Sequence, residues 1–219
     1  MKPDYNRAAK KATELLISNG IIKTPIDPLP ILKKFDNVRI YSFMDLTNHV
    51  QRKREDIVSV FMSSQDAITS VINYKGKLDY IVMYNQMLSY SLIQRAIARE
   101  LGHIVMNHDG SLPEDVRAEE AKCFSHHLLC PRPLIHAIQA IGIRITTEVL
   151  GNLTGCYDRC LIGMRSLPAN ISVPKELNAQ LRNQMMNYIM NYFDFQRHLS
   201  IDDMSAVADF GNYMTGYEE

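Results

Sequence analysis

"IARELGHIVMNHDG", residues Ile97–Gly110, decides how this chain is read. Ile93, Ile97, Leu101, Ile104 and Val105 recur at helical spacing, which predicts a helix opening at Ser89 or Ser91 and running through Met106. Inside it stands R-E-L-G-H, Arg99 to His103. A hydrolytic zinc helix would read H-E-x-x-H. Two His at i, i+4 share one face and reach one metal, and the Glu between them takes a proton from the bound water. Glu100 and His103 stand at the base and second-ligand positions. Arg99 stands at the first-ligand position, where a permanently protonated guanidinium offers no lone pair.

Upstream, "DYNRAAKKATELLIS" predicts a first helix over 4–18, ended by Asn19-Gly20 because Gly tolerates positive φ. The three prolines of "PIDPLPILKKF" set turns and a short helix. "NVRIYSF" (37–43) alternates and is rich in β-branched and aromatic residues, so a strand is expected. "ITSVINY" and "YIVMYN" flank Lys75-Gly76-Lys77 as a hairpin. Together these predict a small antiparallel sheet of about three strands.

Downstream, Ser111 to Glu114 reads as a capping box, with Glu114 three residues after Ser111. The helix it opens carries Ala121, Phe124 and Leu128 on one face and ends at Pro131 and Pro133. Glu119, Cys123, His126 and Cys130 form a stripe on the opposite side, read as a solvated face although all four are zinc-ligand types. His108 reads as a capping or surface residue. A short helix over 134–141 and one or two more over 147–166 follow.

"SLPANISVP" (166–174) is the linker candidate. It divides the chain into a main domain (1–166), a linker (167–174) and a C-terminal helical extension (175–219). In the extension, Leu177, Leu181, Tyr188, Tyr192 and Phe195 cluster within about 60° on a helix. That face either folds back on the main domain or meets a second copy or a partner. The fold class expected is α+β: a small sheet packed with a helical bundle, plus a C-terminal amphipathic helix.

Lys plus Arg and Asp plus Glu balance at 24 each in 219 residues. Zero net charge argues against a broad nucleic-acid footprint, and "QRKRE" (51–55) reads as a solvated loop. No stretch is long and apolar enough for a bilayer, and "MKPDYNRAAKK" lacks the apolar core of a secretion signal. A cytoplasmic location with reduced thiols is expected, Cys156 and Cys160 included.

Several segments together resemble the ImmA/IrrE family of zinc metallopeptidases. "IVMYNQMLSYSLIQRAIARELGHIVMNHD" is similar to that family's strand, loop and helix ending in A-H-E-L-G-H-x-x-x-x-H. "EEAKCFSHHLLCP" is similar to its E-x-E-A-N-x-F-A-x-x-L-L-x-P helix. "KTPIDPLPILKKF" and "LTGCYDRCLIGMRSL" resemble its N-terminal and closing segments. The likeness covers roughly residues 5–166.

The resemblance implies a zincin-like fold, Glu100 as catalytic base and His103 as second zinc ligand. Arg99 replaces the first ligand. Anchoring on Ala121 and Phe124 places the family's first Glu, the implied third ligand, at Ala118 and its Asn at Lys122. Glu120 matches the second Glu, about 160° around the helix from Ala118. A register shift of one makes Glu119 the candidate ligand.

Arg99 and Lys122 are cations near an expected dication, so a salt-bridge cluster with Glu100 is expected to stand in for the metal. The implied partner is a helix-turn-helix repressor, with zinc-dependent proteolysis reduced or absent. The alternative is an active zinc endopeptidase using Glu100 as base and an atypical ligand set, with zinc as its cofactor.

Overall fold

The computed structural model describes residues 1–45, 66–74, 77–108, 110–155, 167–168 and 170–198. The expected turn at Lys75-Gly76, the "QRKRE" loop, Cys156, Cys160 and the segment 156–166 lie outside the described residues.

Helix α1 (Tyr5–Ser18) begins at Asp4, whose side chain accepts from the Arg7 amide. It ends at Asn19, and Gly20 follows at φ +63°. Asp27 caps the short α2 (Pro28–Leu32) in the same way, accepting from the Leu29 amide. Both starts follow from an Asx side chain satisfying an orphan amide of the first turn.

Three strands follow: β1 (Val38–Ser42), β2 (Ala67–Tyr74) and β3 (Lys77–Tyr84). β3 lies centrally, in the order β1-β3-β2. β2 and β3 pair antiparallel, as the hairpin reading requires. β1 pairs parallel with β3, Val38 opposite Tyr80 and Ser42 opposite Tyr84. The sheet is therefore mixed and not antiparallel throughout. Alternation within a strand reports burial of its faces and says nothing of the direction of its neighbour. The partner here is reached only after a long connection and β2.

Five more helices complete the fold: α3 (Tyr90–Val105), α4 (Glu114–Leu129), α5 (Arg132–Ala140), α6 (Thr147–Thr154) and α7 (Lys175–His198). α4 starts after Pro113, with no side-chain cap, so the expected capping box does not form. Ser111 falls too early, because proline at the cap position sets the entry instead. α4 lies between α1 and α3 and is buried on almost every side. Cys123, His126 and Cys130 are consequently interior, which corrects the solvated-face reading. A central helix buries its polar side as well, and sequence periodicity does not distinguish that side from a wet one.

Gly102 sets the approach of α3 to α4. A Cβ built there would lie 3.1 Å from the Phe124 ring and 3.2 Å from Ala121 Cα and O. α7 packs on α1 and α5. Its buried stripe is Leu181, Met185, Ile189 and Phe193, rotated from the expected one. Tyr188 remains at the rim, where its hydroxyl donates to Thr24 O at 2.8 Å, and Gln184 donates to Ile21 O at 2.7 Å. The 167–174 segment is tied down: Arg132 donates to Ile171 O at 2.6 Å, and the Ser172 amide donates to Asn6. None of the described helices is long and apolar enough to cross a membrane.

Replacing Gly102 with Ala tests the helix contact. Ala is the better helix former by about 1 kcal/mol. Its methyl meets backbone of α4, which yields only if the helices separate. We expect a net loss of roughly 1–2 kcal/mol in urea unfolding, since overpacking costs about 1–3. An unchanged or higher stability would show that the crossing has slack.

Candidate functional site

A cleft of ≈ 510 Å³ opens between β2, α3 and α4. α3 contributes Ala96, Arg99, Glu100 and His103, and α4 contributes Glu114, Arg117 and Ala118. Both sets follow the i, i+3, i+4 spacing of a helical face. β2 supplies Ala67, Ile68, Thr69 and Val71. Arg99, Glu100, His103 and Ala118, singled out from sequence, therefore share one cleft. Glu119 and Lys122 do not line it; they pair with each other at 3.3 Å and line a smaller cavity on the other side of Arg99.

Glu100 is buried and accepts from the Thr69 hydroxyl at 2.6 Å. Burial raises its pKa, opposed by the Thr69 hydrogen bond and the Arg99 charge. No ion pair links Glu100 to Arg99 or Lys122 among the described residues, so the expected salt-bridge cluster does not form. Lys122 turns instead to Glu119, three residues back on its own helix, and Thr69 supplies the donor Glu100 needs.

His103 belongs to a buried chain of hydrogen bonds. After α3 ends, Asn107 takes a left-handed conformation (φ 54°) and the His108 amide donates to His103 O at 3.0 Å. The chain folds back, and the two rings meet with Nδ1 to Nδ1 at 2.9 Å. His108 Nε2 lies 3.0 Å from Glu120 Oε2, while Glu120 Oε1 accepts from the Asp4 amide at 2.8 Å.

The tautomers follow in sequence. A carboxylate accepts, so His108 donates from Nε2 and presents a lone pair at Nδ1. His103 must then donate from Nδ1, which leaves the lone pair on its Nε2. Burial, reinforced by the charges of His108 and Arg99, lowers the His103 pKa to about 4. Burial also lowers that of His108 against the pull of Glu120. Both imidazoles are neutral near pH 7.

His108 is thus a buried positioning residue and not a capping or surface one. Glu120 is its partner, a role the sequence reading did not assign. The i, i+5 spacing of His103 and His108 across a helix end was the available signal. It carried no direction, because only the Asn107 turn brings the rings together.

A catalytic zinc takes three protein ligands and a water. In this cleft Arg99 has no lone pair to give, Ala118 has no donor, and of the two imidazoles His108 has both ring nitrogens engaged by His103 and Glu120, which leaves one nitrogen of His103. Glu119, the other candidate ligand, is engaged by Lys122 and by the Tyr5 hydroxyl at 3.3 Å. Among the described residues, no group of three or more His, Cys, Asp or Glu side chains is placed to hold a metal ion. The donor set of the cleft does not fit a hydrolytic zinc.

Cys123 and His127 of α4 are buried away from this cleft. Burial pushes the Cys123 thiol up to about 12, and His127 Nδ1 lies 3.0 Å from Cys123 O. No match to this chain was found among protein-family models, curated proteins or solved structures.

Two predictions follow from the buried imidazoles and their carboxylate. His103 and His126 titrate near 4 in the native state, against about 6.5 when exposed in the unfolded chain. Between those values the unfolded chain binds more protons, so stability present above 6.5 falls as pH drops toward 4. Glu100 acts oppositely: its raised pKa favours the native state below the ordinary carboxylate range, and that contribution fades as pH rises through the raised value. The imidazoles dominate. We expect the urea midpoint to fall from pH 7 to pH 4, with His126→Asn removing on the order of 3 kcal/mol of that dependence. A slope unchanged in His126→Asn would place that imidazole's titration elsewhere. Separately, Glu120→Leu should cost about 2–5 kcal/mol, since it strands two buried neutral donors, the Asp4 amide and His108 Nε2–H, at about 1–3 kcal/mol each; a loss below about 1 kcal/mol would mean that water replaces the carboxylate.

Proposed function

We propose that this chain is a binding module on a metallopeptidase-like scaffold, and that its larger cleft holds an extended segment of a protein partner without cutting it. The observation that carries this reading is the company Glu100 keeps. Its cleft holds a guanidinium and a methyl group, Arg99 and Ala118, at the two positions where the resemblance to ImmA/IrrE peptidases implies zinc ligands. Glu100 itself accepts from the Thr69 hydroxyl.

The sheet supports the mode of binding. β2 is an edge strand that lines the cleft, and no strand pairs with its other edge among the described residues. Val71 and Ile72 are exposed on it, at 42% and 47%. An added strand would gain main-chain hydrogen bonds there, while the cleft selects side chains. The partner class implied by the resemblance is a helix-turn-helix transcriptional repressor, and binding alone sequesters it.

The test uses a purified helix-turn-helix repressor offered as the partner. The unaltered chain and Glu100→Gln are expected to bind it with affinities within about twofold, and to leave it intact with or without added zinc. Cleavage that disappears in Glu100→Gln would overturn the reading and establish a peptidase. As a gain-of-ligand control, Arg99→His combined with Ala118→Glu should bind zinc at least about tenfold more tightly than the unaltered chain, because ligand count sets affinity.

A further inference from the structure

Behind Arg99, between α3 and α4, lies a second cavity of ≈ 240 Å³ lined by Arg95, Arg99, Ala118, Glu119, Lys122, Ser125 and His126. Arg95 and Arg99 stand one turn apart on α3, and Lys122 and His126 one turn apart on α4. The lining brings three permanent cations against a single carboxylate, Glu119. Arg95 also meets Asp66 at 3.3 Å through a terminal nitrogen. The Nε atoms of Arg95 and Arg99 are buried and have no hydrogen-bond partner. Arg99 has no ion pair or side-chain hydrogen bond among the described residues.

A buried donor on a cation is costly to leave unmade. Two of them stand on adjacent turns of one helix, on side chains that line this cavity. His126 registers the same positive field: burial, then Lys122, His127, Arg95 and Arg99, hold its imidazole down at about 4.

We propose that this cavity is a binding site for a phosphoryl group. The charge calls for one anion. Three cations against Glu119 and the Asp66 that meets Arg95 leave a formal surplus of about one positive charge, which a single oxyanion neutralises. Arginine suits the task because its planar fork gives two parallel N–H donors to a tetrahedral oxyanion, and Lys122 adds a point charge from the opposite helix. Arg99 lines both cavities. An anion that turns its guanidinium toward the smaller one also withdraws it from the peptide cleft.

The experiment titrates the full chain with inorganic phosphate at constant ionic strength, following the arginine Nε–H resonances by NMR. Saturable shifts of Arg95 and Arg99 below about 10 mM phosphate are expected. Lys122→Gln, at a side chain one-third exposed and so without risk to the fold, should weaken binding about tenfold or more. Arg117→Gln, which alters the larger cleft alone, should leave it within about twofold. A phosphoserine peptide that binds more tightly than inorganic phosphate would identify a phosphorylated protein as the source, and equal affinity a free anion; both support the site. Absence of saturable shifts at Arg95 and Arg99, or binding lost in Arg117→Gln and kept in Lys122→Gln, overturns it.

Discussion

A single buried carboxylate organises the middle of this molecule. Glu120 is 2% exposed and must have its oxygens satisfied inside the protein. One takes the amide of Asp4, the residue that also caps α1. The other takes the ring of His108, just past the end of α3. Three helices thus converge on one side chain. Arg7, on α1, adds to the same junction by donating to Met106 O, an orphan carbonyl at the α3 terminus, at 2.8 Å. The tautomer of His103 derives from this arrangement, and burial keeps its ring neutral.

The two cavities flanking Arg99 share a cause. Gly102 lets α3 and α4 approach closely at one level, where Phe124 and Ala121 fill the contact. Away from that level the helices carry Arg, Lys, Glu and His, and such side chains cannot pack as hydrocarbons do. Space remains on both sides, one part opening toward β2 and the other toward Lys122. The larger cleft holds Glu100 and His103 beside Arg99 and Ala118, with no metal-holding group among the described residues. The smaller has cationic donors exceeding their internal acceptors. Arg99 borders both, so its guanidinium bears on the donor set of one and the charge balance of the other.

Much of the fold was legible in the sequence. Asp4 and Asn19-Gly20 bounded α1, the hairpin strands alternated clearly, and the run from Ile93 to Val105 marked α3. Glu100, His103, Arg99 and Ala118 were placed in one site by spacing and by the resemblance of two helical segments. What failed has a common origin. The parallel pairing of β1, the burial of Cys123 and His126, and the rotated stripe of α7 all depend on what lies across from a residue. A one-dimensional pattern records only what lies beside it.

By itself, then, the sequence determined the helices and strands, the helical face that joins Glu100 to His103, and the lack of a metal-binding lone pair at positions 99 and 118. These are properties of local geometry and of side-chain chemistry, which no packing arrangement alters. Only the tertiary structure decided that Glu100 would be met by Thr69, that Glu119 and Lys122 would face away from the cleft, and that Glu120, 12 residues beyond His108, would orient the imidazole chain. Hydrogen bonds between distant segments are chosen by which donors burial leaves unsatisfied, and burial is a property of the assembled chain.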